Sequence, residues 1–389
     1  MENKSLSKAQ ITIMAIASGV CVANIYYNQP VLKDIAKSLN TTEANVGLIS
    51  VLAQAGYGFG LFFITPLGDK VNRKKLILGL QGLLIFALVG MVFFESRFGI
   101  FTMSLIIGIC SVAAQVILPM AASLEKNNQA KTISFIFSGI LIGILAARVF
   151  AGTIAEWFGW HYVYAISAVM VLGTTLMVHL SLPNVKQEFT GNYLSLLKSA
   201  LQQIQRFAIL RRSTLLGALI FGVFCSFWTT LTFHLSGAPF HYGTDTIGLF
   251  GILAIVGALL APYFGRWVDG DNAAKSQLFS VGMLLASVIL LNVLPHSLWA
   301  IIIAVLLLDV GVQATQLVNI ATIYTLDEIA NSRINTIYMT SYFIGGALGT
   351  FIGVQCWKLG GWNLVTWQLI LWSVLAFLVA FWSFKKSKK

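Results

Sequence analysis

Two charges stand where so apolar a chain should carry none. Asp309 lies in AVLLLDVGVQATQLVNIA and Arg148 in SGILIGILAARVFAG, each inside a long hydrophobic run. An ionisable group at mid-bilayer costs at least about 2.5–3.5 kcal/mol, so by default it marks function. Gln313 and Gln316 follow Asp309 at i+4 and i+7, and a helix puts all three on one face. That face must look into protein or into a wet cavity. A carboxyl taken out of water favours its neutral form, so Asp309 can carry a proton as a cavity alternates between the two sides. Arginine keeps its proton in proteins. Arg148 is therefore a fixed partner, either to a carboxylate of the chain or to an anionic group of a substrate. A permanently neutralised structural ion pair is the plainer alternative.

A second polar cluster is NIYYNQP, Asn24 to Pro30, late in another apolar run. On a continuous helix Asn24, Tyr27 and Asn28 share one face, while Tyr26, Gln29 and Pro30 turn partly away. Pro30 removes a backbone hydrogen bond and permits a bend or a helix end. The polar groups then either contact a substrate or reseal the broken backbone, with Tyr27 and Asn28 the preferred contacts and Gln29 a further lining residue. Gln54, Tyr57 and Gln115 are candidates in the same half of the chain. Trp228 (with Thr229 and Thr232), Asn319, Tyr338 and Tyr342 (with Asn335) are candidates in the other. Together they suggest an aromatic, amphipathic cavity poor in charge, suited to a small organic molecule.

The elements that hold these residues follow from composition. The 389 residues are 57% hydrophobic and 10% charged, with mean hydropathy +0.82. A soluble domain carries about a quarter charged residues, so this chain has too little polar surface for water. In a bilayer only helices and closed barrels satisfy the backbone, and the long continuous runs select helices over alternating strands. Runs long enough to span lie near 9–32, 44–66, 76–94, 98–121, 132–154 and 161–181. A second series lies near 213–235, 246–268, 277–295, 298–325, 334–357 and 363–384. The expectation is an all-α integral membrane protein of twelve transmembrane helices in two pseudo-symmetric six-helix bundles. Residues 1–182 form the first bundle, 183–212 a linker and 213–389 the second. MENKSLSKAQ is read as the lead into an uncleaved first span.

The net charge of +11 comes from 25 Lys and Arg against 14 Asp and Glu. These basic residues fall mainly in short segments on the side of the N-terminus, which makes that side cytoplasmic and places both termini there. No basic run is interleaved with aromatics, so nucleic acid is not an expected partner. In the linker, Leu194, Leu197, Leu201 and Ile204 form one stripe, as on a helix lying at the membrane surface. Cys21, Cys110, Cys225 and Cys356 are dispersed singly, which supports neither disulfides nor a metal site. No GxxxxGK[ST] loop or HExxH motif is present, so an ATP-driven pump and a zinc hydrolase are disfavoured. No cofactor is expected, and a proton gradient is the expected energy source.

The halves repeat each other. PLGDKVNRKK follows the second run and PYFGRWVDGDNAAK the eighth, aligning Asp69 with Asp269; FGWHYVY and GGWNLVTW align Trp160 with Trp362. Duplicated halves around a midplane site are common in secondary transporters. Thr65 to Lys74 resembles the loop pattern Gly-x-x-x-Asp-Arg-x-Gly-Arg-Arg/Lys of the major facilitator superfamily. Asp69, Arg73 and Lys74 match, whereas Thr65, Lys70 and Asn72 depart. The resemblance covers essentially the whole chain, and YYNQP with the arginine-bearing fifth span is similar to bacterial drug:proton antiporters. It implies that Asp69, Arg73, Lys74 and Asp269 form a conformational latch, with Asp69 meeting a helix N-terminus beside the next bundle. It also implies that spans five and ten approach across the centre, where an Arg148–Asp309 pair would close on deprotonation. The family's span-four arginine is replaced by Val112 in GICSVAAQVILP, although Gln115 fits. Gly139, Gly143, Ala147 and Gly152 resemble the antiporter span-five motif without its proline, and equally allow close helix packing.

The function expected is secondary active transport in a bacterial inner membrane by a monomer, with export of a small organic molecule in exchange for protons. Uptake of a sugar or organic acid by proton symport or uniport is the alternative. A non-transporting sensor is a remote one. Substrate, protons and lipid are the expected partners, and the chain is not expected to be an enzyme.

Overall fold

Short polar residues set where the apolar runs become helices. Ser7, Thr42, Asn72, Ser96 and Ser297 each accept a hydrogen bond from a backbone N–H in the first turn that follows. Each thereby satisfies one of the amides that a helix start leaves without an internal partner. The computed structural model describes residues 6–125, 128–184, 192–267, 273–327 and 330–387.

These residues form helices and no strand. The first group is α1 (Lys8–Ala23), α2 (Asn28–Ser38), α3 (Glu43–Phe63), α4 (Arg73–Phe93), α5 (Arg97–Ser111), α6 (Ala113–Leu124), α7 (Gln129–Phe158) and α8 (Trp160–Ser181). A single 3-10 turn, Thr65–Asp69, joins α3 to α4. After α9 (Tyr193–Arg206) come α10 (Ala208–Ser236), α11 (Thr244–Trp267), α12 (Ala273–Val293), α13 (Leu298–Tyr324) and α14 (Asn331–Ser387).

Among the described residues nine stretches are long and apolar enough to cross a membrane, or ten if α1 and α2, bent by 41°, count as one span. The twelve expected from the sequence includes two that this count treats differently. Helix α14 counts once although its 57 residues would reach about 86 Å, against a hydrocarbon core of about 30 Å. It is interrupted at Gly360 and Gly361, the latter in the left-handed region with φ of 58°, which glycine enters without a Cβ clash. Helix α11 falls outside the nine, its described apolar part being Thr244–Ala254.

Helices α1–α8 pack among themselves and α10–α14 do likewise. These two groups, called halves below, meet chiefly where α3 runs along α14 and α7 along α11. Large apolar side chains face outward, with Phe98, Leu180 and Leu359 about four-fifths exposed at 82%, 80% and 78%. A lipid bilayer is the solvent that makes such a surface stable. Glycines allow the closest crossings: a Cβ on Gly143 would lie 2.2 Å from the Gly19 carbonyl oxygen.

The near end, where the chain begins, holds most of the charge and is stitched within the first half. Gln10 Nε2 donates to Ser181 O at 2.7 Å. At the far end the two halves are joined across their interface. Lys33 Nζ donates to Ser236 O at 2.7 Å, and Thr244 Oγ1 to Asp34 Oδ2 at 2.7 Å. Thr244 N donates to Glu156 Oε2 at 3.0 Å, and Trp357 Nε1 to Glu43 Oε2 at 2.9 Å. The far end is therefore closed in this conformation.

The amphipathic helix expected in the linker is α9. Leu197 is buried, whereas Leu194 and Leu201 stay exposed. The Tyr193 hydroxyl donates to the Phe63 carbonyl at the end of α3. At its other end Arg206 pairs with Asp327 at 2.6 Å, and Arg333 donates to Ser199 Oγ at 2.6 Å. Thus α9 is bonded to both halves.

Candidate functional site

The break between α1 and α2 decides which polar residues reach the centre. Residues 24–27 form turns, so the periodicity of α1 does not continue through NIYYNQP. The break precedes Pro30, which sits in the first turn of α2, where its missing N–H leaves no helical bond unmade. The bend reverses the facing expected from a continuous helix. Tyr26, expected to turn partly away, and Gln29, expected to turn partly away while still lining the cavity, meet Arg148, and Asn24 and Asn28 are spent on the chain itself.

Asn24 donates to Val20 O at 2.8 Å and Cys21 O at 3.3 Å, and accepts from Ser167 Oγ at 2.7 Å. Asn28 donates to Ile25 O at 2.9 Å and accepts from the Ser50 hydroxyl. Both residues reseal carbonyls around the break, as one of the two sequence readings had it. Tyr27 is buried, with its ring centroid 5.3 Å from that of Phe150.

Arg148, on α7, is 2% exposed. Its Nε donates to Gln29 Oε1 at 2.8 Å. The guanidinium carbon lies 4.1 Å from the Trp228 ring centroid, 5.3 Å from that of Tyr26 and 5.6 Å from that of Phe224. This aromatic lining stabilises a cation through the ring quadrupoles, and it draws residues from both halves. Neither Nη1 nor Nη2 has a hydrogen-bond partner, and Gln29 Nε2, Trp228 Nε1 and Thr229 Oγ1 are likewise buried and unpartnered.

Asp309, on α13, is 1% exposed, and its Oδ2 has no partner. It acts on Arg148 electrostatically, yet the described residues contain only two ion pairs, neither involving these groups. The expected Arg148–Asp309 pair is not in contact in this conformation. A buried polar group without a partner costs about 1–3 kcal/mol, and more when charged, so this is a site with unmet demand.

The other candidates are mostly satisfied around it. Gln54 accepts from Thr350 Oγ1 across the halves at 2.9 Å. Gln115 Nε2 donates to Tyr57 OH at 3.1 Å, and the Tyr57 ring packs on Phe343 with centroids 4.4 Å apart. Asn319 donates to Tyr338 OH at 3.2 Å and accepts from Gln277 Nε2 at 2.6 Å. Tyr342 stacks on Phe221 at 3.9 Å. Gln313 and Gln316 are half-buried, less so than Asp309. Sequence reasoning missed Phe224 and the far-end residues Lys33, Asp34, Glu43, Glu156, Thr244 and Trp357. No motif marks them; the only signal was charge at the far ends of spans.

The expected latch is local in this conformation. Arg73 pairs with Asp69 at 2.9 Å and donates to Gly68 O, Pro119 O and Ser123 Oγ at 3.0, 2.8 and 3.2 Å. Lys74 Nζ donates to His179 O at 2.7 Å and Leu182 O at 2.6 Å, capping the C-terminal carbonyls of α8. All these partners lie in the first half, so Asp69 meets its own loop's arginine where contact with the next bundle was expected. Asp269 lies outside the described residues. The small residues of span five serve packing at two interfaces: Gly139 and Gly143 against α1, and Gly152 against α11.

Two groups of helices, closed together at one end around a buried polar site fed by both, have the build of a membrane transporter. The Major Facilitator Superfamily model matches residues 14–350, and the chain belongs to that family. It is 38% identical to the uncharacterized transporter YgaY of Escherichia coli O157:H7, over 92% of each chain. It is 26% identical to the inner membrane transport protein YnfM of Escherichia coli strain K12, over 95% of this chain and 89% of that one. In structure it is similar to the POT family transporter PepTSo, with a TM-score of 0.76 over 98% of each chain at 14% identity. The chain is thus a multi-pass membrane transporter, of a non-enzyme family, for a small molecule.

Proposed function

We propose that this chain is a proton-coupled secondary transporter of a small organic molecule, working by alternating access in a bacterial inner membrane. The observation that carries the coupling is the pair of buried charges: Arg148 on one half and Asp309 on the other, within electrostatic reach but not in contact. Loss of the proton from Asp309 creates a carboxylate that the guanidinium attracts, and that attraction falls across the interface along which the halves must move. Proton occupancy is thereby linked to conformation, provided the two states differ in their Arg148–Asp309 separation. The name of the relative YnfM supports the inner-membrane location.

Resemblance to drug:proton antiporters supports export in exchange for protons. A second reading, cotransport of an organic acid with the proton, is favoured by the two unpartnered Nη groups of Arg148. In proteoliposomes, adding substrate on one side releases protons there under exchange and takes them up under cotransport. Asp309→Asn should abolish flux driven by a pH gradient while sparing substrate–substrate exchange. Undiminished driven flux in that variant would refute the assignment of Asp309.

A further inference from the structure

The buried site between the halves contains more hydrogen-bond donors than the chain can satisfy. Arg148 Nη1 and Nη2, Gln29 Nε2 and Trp228 Nε1 are all unpartnered donors, on residues no more than 3% exposed. Among the described residues, the only carboxylate oxygen that is buried and unpartnered is Asp309 Oδ2. A further carboxylate brings two oxygens with about four lone-pair sites, enough to accept from the Nη groups and from the amide and indole N–H groups together. The guanidinium is also oriented for something further. Its Nε edge is fixed by Gln29 and its face is covered by Trp228, which leaves the Nη1–Nη2 edge as the free, bidentate edge.

From this donor surplus we infer that the transported molecule is an organic carboxylate with an apolar or aromatic body, its oxygens held by Arg148, Gln29 and Trp228. The inference rests on the second reading above, cotransport of an organic acid with the proton, and names the body of that acid and the groups that hold it. The body would lie among Tyr26, Phe224 and Trp228, which already surround the cation. The titratable groups that act on Arg148 are Asp309, Tyr26 and Cys225; Tyr342 is a further one that feels Asp309. Of these only the carboxyl is of a type that gains or loses a negative charge without strongly alkaline conditions. A bound carboxylate beside an ionised Asp309 would set two negative charges on one guanidinium. The carboxylate is therefore accepted with Asp309 protonated, and proton and substrate travel in the same direction.

The test is a binding measurement on the purified full-length protein in detergent. The probes are aromatic and aliphatic monocarboxylates, benzoate among them, each titrated beside its neutral primary amide. The expected result is a preference of about tenfold or more for the best carboxylate over its amide, the scale of one charge-assisted hydrogen bond. Arg148→Gln should erase that preference, and Arg148→Lys, which keeps the charge without the fork, should restore part of it. Should the Arg148 variants fail to fold, Trp228→Phe keeps a ring and removes one N–H, and should weaken carboxylates several-fold more than amides. No carboxylate preference anywhere in the set, or one unchanged by these substitutions, overturns the inference. Carboxylate binding without pH-driven flux would leave the anion site standing and defeat the transport coupling. Driven flux of neutral or cationic compounds, without carboxylate preference, would do the reverse.

Discussion

A close backbone contact between the halves can be turned into a measurement. A Cβ added at Gly152 of α7 would lie 2.6 Å from the Thr244 carbonyl oxygen and 2.9 Å from Gly248 Cα. Both are backbone atoms of α11, so no side chain can swing away. Restoring ordinary contact at 3.4 Å requires the helices to part by about 0.8 Å at that point (3.4 less 2.6). Overpacking of this kind costs about 1–3 kcal/mol, and here the cost falls only on the conformation in which the far end is closed. Gly152→Ala should therefore lower the population of that conformation relative to its open counterpart by roughly 5–150-fold. Spin labels on the exposed far-end residues Tyr162 and Trp299, with Cys356 replaced, report the separation of the halves. The expected result is a longer distance component and a slower flux. Gly248→Ala should act alike, its Cβ meeting Arg148 O at 2.8 Å, whereas Gly79→Ala, with nothing within 4 Å, should do neither. Distances and flux unchanged in both interface variants would refute the view that α7 and α11 clamp the halves together.

Other perturbations probe separate links. Arg73→Leu strands the carbonyls of Gly68 and Pro119 and should cost about 2–4 kcal/mol, read as a lower melting temperature in detergent; an unchanged midpoint would show the loop network to be dispensable. Glu156→Ala removes the carboxylate that accepts from Thr244 N at the start of α11, a cap worth about 0.5–2 kcal/mol. It should lengthen the Tyr162–Trp299 distance, and a distance distribution identical to the parent's would count against a far-end latch. Gly361→Ala meets no neighbour within 4 Å, so its cost is the backbone strain at φ of 58°, about 1–2 kcal/mol. A midpoint that does not fall would mean the turn relaxes freely.

What the sequence disclosed follows the physics that acts locally along a chain. Hydropathy places the helices, because it depends on neighbours a few positions away. Asp309 and Arg148 were visible because charge in a hydrophobic run is conspicuous without any fold. Facing was legible only while a helix ran straight. The turns at residues 24–27 took Asn28 out of the candidate contacts and left Gln29 among them, and Pro30, three residues on, marks the neighbourhood of the break but not its direction. Pairings across the halves, such as Asp34 with Thr244 or Gln54 with Thr350, join residues more than 200 positions apart, and nothing in either local segment announces its partner. The latch residues were legible as a charged loop. Their partners were not, since Arg73 reaches α6 through carbonyl groups that any sequence possesses.

The linker helix has a mechanical consequence. Because α9 is bonded at Tyr193 to the end of α3 and at Arg206 to Asp327, it works as a tie rod between the halves at the near end. Its 14 residues fix a length of about 21 Å, and a helix neither stretches nor shortens cheaply. While both attachments hold, the halves can part there by swinging this rod but not by lengthening it. Any opening between the halves at the near end then has an upper bound set by the length of this one segment.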